Sequence, residues 1–213
     1  MMGGIVLLDE KQYSSAISEL AARDQHLAGV VELHGPPPFW TREPGFAALV
    51  YLILEQQVSL ASAKAAYDKL IVKVKKLTPG RFLKLTTRDL RVAGFSRQKM
   101  LYARLLAKEL SNRRLNLPSL HAMDDQAVRV RLTALKGIGP WTAENYLLSA
   151  LRRPDVWPAH DLALQIAVQQ VKGLRKRPTP EKLDKMSEAW RPWRSVATRI
   201  FWHHYLSTRS KKT

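Results

Sequence analysis

The chain has no cysteine among its 213 residues. That excludes a disulfide scaffold, a thiolate zinc site, a cysteine-ligated iron–sulfur cluster and a cysteine nucleophile. Acidic residues are scarce: 18 Asp and Glu stand against 35 Lys and Arg, a formal net charge of +17. The surplus says little about fold, but it selects for polyanionic partners, either nucleic acid or an anionic membrane surface. Long apolar runs are missing as well. The longest stretch free of Asp, Glu, Lys and Arg is 44–54, far short of the roughly 20 apolar residues that span a bilayer, so no membrane partner is expected. Residues 1–10 have no basic start, and Ile5 to Leu8 is too short an apolar run for a signal peptide. A cytoplasmic or nucleoid protein is expected, nuclear in a eukaryote. No alternating β-branched run is long enough for a strand, and no internal repeat is evident.

Hydrophobic residues make up 46% of the chain, enough to bury a core without staples. Apolar residues recur at helical spacing over 13–23, 46–56, 60–77, 87–92, 98–112, 124–135, 141–151, 161–171, 180–190 and 193–207, and Thr78-Pro79 opens one more helix. The segment 46–56 is apolar on nearly every face, which predicts a buried central helix. In 98–112 the leucines 101, 105, 106 and 110 are expected inward. Pro36, Pro37 and Pro38 make a stiff break. About ten helices with short connections predict an all-α compact globule, one unit over 1–213, with a frayed polar tail at 209–213.

The most informative segment is Leu135-Lys136-Gly137-Ile138-Gly139-Pro140-Trp141-Thr142-Ala143. Two glycines flank one apolar residue, and a proline sits where a helix would start. Glycine permits positive φ and close approach. The amides of Gly139 and of the following first turn would point outward unpaired, and with the helix dipole they make an anion site. A DNA phosphate fits such a site without sequence readout, and Lys136 adds charge. A plain corner between helices with a glycine cap is the alternative.

These residues resemble the helix-hairpin-helix of the DNA glycosylase superfamily named for that hairpin and a Gly/Pro-rich loop ending in Asp. The family motif reads roughly Leu-Pro-Gly-Ile-Gly-x-x-Thr-Ala; Lys136 replaces its first proline. Three further segments fit in the family's order. Glu55-Gln56-Gln57-Val58-Ser59 is similar to the Gln-Gln-x-Ser turn, and Ala93-Gly94-Phe95-Ser96-Arg97-Gln98-Lys99 also fits. Trp190-Arg191-Pro192-Trp193-Arg194-Ser195 with Trp202 resembles the alkylation-repair branch, like 3-methyladenine DNA glycosylase II. The resemblance implies an all-α fold of two helical subdomains with the active site in the cleft between them. It places the helix-hairpin-helix at about 124–151 and the Pro-rich loop with the catalytic Asp at 152–161. Two departures stand out: the loop lacks glycine, and His160 precedes Asp161. Some relatives carry an N-terminal β-rich domain, which is expected to be absent or vestigial here, since only about 44 residues precede the first central helix.

The resemblance puts the catalytic carboxylate on Asp161. Breaking an N-glycosidic bond builds oxocarbenium character on the sugar, which a nearby carboxylate stabilises while orienting or deprotonating water. Asp161 also precedes a helical apolar run and suits an N-cap, and the two roles are compatible. Asp155 in the same loop reads as a turn residue. The six histidines form no metal pattern, and His203 with His204 point about 100° apart on a helix. The resemblance further implies that Gln56 or Gln57, with Gln57 the better match, fills the gap left by a flipped nucleotide, alongside Ser59; helix-end capping is the alternative. It places Trp141 and Trp202 in the base pocket, where an aromatic face attracts a positively charged alkylated purine; Trp40 is a third wall, and Trp157, Trp190 and Trp193 read as packing. Lys136, Gly137, Gly139 and Thr142 are the expected DNA contacts of the hairpin. No cofactor is required, but carbonyls of Thr133, Leu135 and Ile138 could hold Na+, K+ or a divalent ion.

The expected partner is double-stranded DNA with a damaged base, bound by a monomer. The expected activity is monofunctional excision of alkylated purines of the 3-methyladenine and 7-methylguanine class. A bifunctional glycosylase/lyase of the same fold and a non-enzymatic binder of DNA structure are the alternatives. The carboxylate at 161 speaks against a mere binder, and the missing cysteines exclude a zinc deaminase.

Overall fold

The computed structural model describes residues 5–210. Among them are twelve α-helices, two 3-10 turns and no strand. In order, the helices are α1 (Glu10–Arg23), α2 (Gln25–His34), α3 (Phe46–Glu55), α4 (Leu60–Val74), α5 (Pro79–Leu83) and α6 (Thr87–Val92). They continue as α7 (Arg97–Ser111), α8 (Asp125–Thr133), α9 (Pro140–Ser149), α10 (Leu162–Val171), α11 (Pro180–Ser187) and α12 (Arg194–Ser210). The expected tail begins inside α12, and 211–213 lie outside the described residues.

The chain divides into two compact units, a refinement of the single unit read from the sequence. One combines residues up to Thr41 with those from Leu147 onward; the other spans Arg42–Tyr146. The first is built around α12, which packs against α10, α2 and α1. Its buried residues Val196, Ala197, Ile200 and Phe201 recur at one and four positions, a stripe on one helix face. Trp157, Trp190 and Phe201 cluster with ring centroids 5.1–6.2 Å apart, so the first two are core, as expected. The second unit is built around α3, whose residues Leu49, Val50, Leu52, Ile53 and Leu54 are all at most 1% exposed. It packs against α4 and α7, and α5 packs on α7.

Two sequence expectations are corrected. Helix α2 was not anticipated. Its ten residues contain Gly29 and two adjacent valines, and only Leu27 and Val30 are buried, so the apolar stripe is too short to see. What makes it a helix is Asp24, which caps it by accepting from the amides of His26 and Leu27. In α7 the inward face is Met100, Ala103, Leu106 and Ala107, while Leu101 is 46% exposed. The small alanines allow the close helix contact, and the helix is turned toward them.

Asp24 does more than cap. Its carboxylate also receives Lys172 Nζ at 2.7 and 2.9 Å and the Trp190 indole at 2.8 Å, tying α2 to the end of α10 and to the core tryptophan. Burial works against the charge, but these hydrogen bonds outweigh it and hold the carboxyl below its ordinary value. Replacement Asp24→Ala should therefore cost about 2–4 kcal/mol, from the lost cap and from the donors left unpaired. Because the folded state lowers this pKa, the contribution is complete above the usual carboxylate value, about 4, and is lost as pH falls below it. Thermal melts of wild type and Asp24→Ala should thus differ at pH 7 and converge toward pH 2; an equal gap at both would contradict the ionic role.

Candidate active site and nucleic-acid interface

The first unit holds the expected catalytic carboxylate. Asp161 is the N-cap of α10 and is 8% exposed. One oxygen, Oδ1, accepts the Leu164 amide at 2.7 Å and the Trp202 indole at 3.1 Å. Trp202, anticipated as a pocket wall, is thus also the residue that orients the carboxylate. The loop before Asp161 is nailed down along its length. Val156 donates its amide to Ser195 Oγ at 2.9 Å, the Ser195 amide donates to the Pro154 carbonyl at 3.0 Å, and Gln165 Nε2 donates to the Ala159 carbonyl at 2.9 Å. Asp155 is engaged elsewhere: Arg194 Nε and Arg191 Nη1 reach it at 2.7 and 2.6 Å, so it is an anchor of the loop. His160 is exposed.

Trp40 is half-buried and lies in the same unit. Sequence reasoning missed what holds it. Arg199, fully buried, donates to the carbonyls of Trp40 at 3.1 Å, Leu148 at 2.9 Å and Ser195 at 3.1 Å. Burial lowers its pKa to about 10. Tyr13 supports the same segment by donating to the carbonyls of Pro37 and Pro38. The signal was available: Arg199 is a charged residue inside the apolar stripe of α12. His34, His203 and His204 also gather here. His34 Nε2 and His204 Nδ1 lie 3.3 Å apart, and His203 Nε2 is 3.0 Å from the His34 carbonyl. Burial, then His34, lowers the pKa of His204. Both adjacent rings of α12 therefore meet the same residue, His204 the ring of His34 and His203 its carbonyl, so the 100° between them does not part their surroundings.

The second unit holds the hairpin between α8 and α9. Gly137 has φ +94°, and a Cβ there would fall 2.1 Å from the Tyr102 ring, so only glycine fits. Ile138 is tucked in at 3% exposure, and its amide donates to the Leu135 carbonyl at 3.0 Å. Gly139 differs from the expectation of a constrained glycine: it does not take positive φ, and a Cβ there would meet nothing within 4 Å. Lys136 is exposed beside it. Thr142 is 1% exposed, with its hydroxyl turned inward to accept Gln56 Nε2 at 3.0 Å. The same Nε2 donates to the Gly137 carbonyl at 2.9 Å. Gln56 therefore fastens the Gln56–Ser59 turn to the hairpin. Gln57 is exposed at φ +58°, and Ser59 caps α4 by accepting the Ser62 amide. Trp141, on the first turn of α9, is half-buried. Thr133 ends α8, its hydroxyl donating to the Arg129 carbonyl at 2.8 Å. No group of three or more His, Asp or Glu among the described residues is arranged to hold a metal ion.

The sequence pattern of the HhH-GPD superfamily of base excision DNA repair proteins matches residues 50–192, about two thirds of the chain. The chain belongs to that superfamily. Two Schizosaccharomyces pombe proteins are similar to this HhH-GPD member over nearly their whole length. The alkylbase DNA glycosidase-like protein mag2 is 24% identical, covering 91% of this chain and 94% of its own. DNA-3-methyladenine glycosylase 1 is 26% identical and covers 92% of both chains. Other relatives are longer: this chain spans 64% of a putative Bacillus subtilis DNA-3-methyladenine glycosylase, YfjP, at 27% identity. Among solved structures, the S. pombe 3-methyladenine DNA glycosylase in complex with abasic DNA superposes with a TM-score of 0.79 at 26% identity, over 88% of this chain and 95% of that one.

The hairpin glycines predict different costs in this HhH-GPD chain. Gly137→Ala should lose at least about 1–2 kcal/mol from backbone conformation alone, lowering Tm by roughly 3–6 °C or more. Gly139→Ala should leave Tm nearly unchanged, since its Cβ enters open space. Calorimetry on both variants checks this, and equal losses would contradict the asymmetry.

Proposed function

We propose that this chain is a monofunctional DNA glycosylase that flips alkylated purines of the 3-methyladenine and 7-methylguanine class out of duplex DNA and hydrolyses the N-glycosidic bond. The observation that carries the reading is the Asp161 carboxylate, fixed through one oxygen by a helix-terminal amide and by an indole. As the bond to the base lengthens, positive charge builds on the sugar. A held carboxylate beside that carbon stabilises the charge without rearranging, and orients the attacking water. Trp202 brings an aromatic face beside the same carboxylate. Trp40, in the same unit, and Trp141, at the head of α9, are further aromatic faces of the kind that attracts a cationic alkylated base.

A duplex hides the target, so the nucleotide must leave the stack. Exposed Gln57 at the tip of its turn is the better wedge, because the Gln56 amide is committed to the hairpin. The open face at Gly139 and exposed Lys136 are suited to a backbone phosphate. A hairpin cation belongs to the same proposal: carbonyl oxygens of Thr133, Leu135 and Ile138 are a hard donor set that suits Na+, K+ or a divalent ion. The Leu135 carbonyl accepts the Ile138 amide and keeps a second lone pair. When bound, the ion supplies positive charge for a phosphate, while hydrolysis itself requires no cofactor. The protein acts as a monomer wherever cellular DNA lies, in the cytoplasm or nucleoid or, in a eukaryote, the nucleus. No described helix is long and apolar enough to cross a membrane.

The monofunctional reading rests on Trp141. Bifunctional members of the resembling family place a Schiff-base lysine two residues after the second hairpin glycine, and here that position is an indole. Lys136 is the nearest amine in the hairpin sequence. Borohydride during turnover on a lesion duplex should trap no covalent adduct; an adduct lost in Lys136→Ala favours the lyase alternative.

Asp161→Asn keeps the shape and the helix cap. It should leave Tm and duplex affinity nearly unchanged while excision of 3-methyladenine or 7-methylguanine, read as abasic sites, falls by about a thousandfold or more. Activity within tenfold of wild type would remove Asp161 from the chemistry.

A further inference from the structure

We infer that Arg113, Arg114 and Arg131 form a second seat for a backbone phosphate of duplex DNA, apart from the turn between α8 and α9. The three guanidinium-bearing residues line one hollow of about 180 Å3 in the second unit, together with Asn116 and Ser119. That is several times the roughly 30 Å3 share of a water molecule, room for a tetrahedral anion. The three side chains are exposed, so water and salt screen their mutual repulsion only in part, and close ion pairs are lacking. Arg113 and Arg131 make no ion pair among the described residues, and Arg114 reaches Glu109 only at 3.6 Å. An anion in the hollow removes that repulsion and takes up planar donors that suit phosphate oxygens.

Arg113, at φ +57°, is the left-handed residue that closes α7: its amide donates to the Leu110 carbonyl at 3.2 Å and the Arg114 amide to the Glu109 carbonyl at 2.9 Å, which fixes where both arginines leave the helix. Just after it, Ser119 donates its amide to Asn116 Oδ1 and its hydroxyl to the Asn116 carbonyl. This leaves Asn116 Nδ2 as a further donor at the rim.

A DNA strand is the occupant because of where Arg131 stands: in the last turn of α8, the helix that runs directly into Leu135–Gly139. A seat here extends the phosphate grip along the element already assigned to DNA. The inference therefore rests on the proposed function for the identity of the polyanion.

The test compares duplex affinity across salt concentrations, by fluorescence anisotropy, for wild type, Arg113→Ala/Arg131→Ala and the charge-matched Lys182→Ala/Lys185→Ala. Loss of one phosphate contact should make the slope of log affinity against log salt shallower by about one. Damaged and undamaged duplexes should be affected alike, and Arg113→Lys/Arg131→Lys should recover most of the loss. The lysine double should change the slope less. Equal changes in both alanine doubles reduce the seat to diffuse charge and overturn it. So does an unchanged slope while 1 mM inorganic phosphate or a nucleoside monophosphate raises Tm through the arginines, which would assign the hollow to a free phosphate ligand. Abasic-site formation by wild type is followed in parallel. No excision with an arginine-dependent slope sinks the glycosylase reading alone; excision with an unchanged slope sinks the seat alone.

Discussion

A single carboxylate oxygen with two neutral donors organises the first unit. Asp161 Oδ1 takes an amide from the start of α10 and an indole N–H from α12, at 2.7 and 3.1 Å. Those donors come from different helices, so the arrangement exists only while α10 and α12 stay in register. The contacts around them serve that register. Leu164, Val168, Val196 and Ile200 are each 0% exposed, and Ser195 bonds the loop before Asp161 to the head of α12. Asp155 ties the same loop to Arg191 and Arg194 through side chains, which an exposed pair would do weakly but a bidentate guanidinium does with defined geometry. The seating of this one carboxylate oxygen thus depends on a core, an ion-paired loop and a helix start.

The second unit solves a different problem by similar means. A turn proposed to face an anion must keep its exposed side clear. Its stability must come from behind. Ile138 is buried under the turn, the Tyr102 ring closes against Gly137, and Gln56 spends both hydrogens of one amide on the Gly137 carbonyl and Thr142. The front, Lys136 and Gly139, is left open. Because Gln56 belongs to the turn that bears Gln57, that turn and the hairpin share one support.

The sequence makes some of this legible and hides the rest for physical reasons. Helix α12 is long with an apolar stripe and α3 is apolar on nearly every face, and these patterns reveal them. The Gly-Ile-Gly-Pro turn and the Asp before an apolar run are local features, so Asp161 at the head of α10 was readable. Long-range hydrogen bonds leave no such trace. Gln56 to Thr142 spans 86 positions, Trp202 to Asp161 spans 41, and Asp24 to Lys172 spans 148. Each partner looks like an ordinary polar or aromatic residue until the fold brings them together. Helix α2 was hidden because only Leu27 and Val30 mark its buried face; Leu101 misled because apolar spacing cannot say which of two adjacent faces small alanines will claim.

Charge is divided between the units in a way that fits their chemistry. The Arg42–Tyr146 unit holds 19 Lys and Arg against 8 Asp and Glu, the remainder 16 against 10. Screening at physiological salt confines an exposed charge to about 8 Å. A surplus of cations therefore grips phosphate only where it stands, and the unit bearing the hairpin carries more of it. Cations are paired in both units, Lys172 by Asp24 and Arg191 and Arg194 by Asp155 in the one, Arg42 by Glu55 and Lys73 by Asp89 in the other, so it is the surplus that differs. On the proposed function, adhesion and bond cleavage ask for opposite local charge, and two compact units with different surpluses let one chain of +17 supply both.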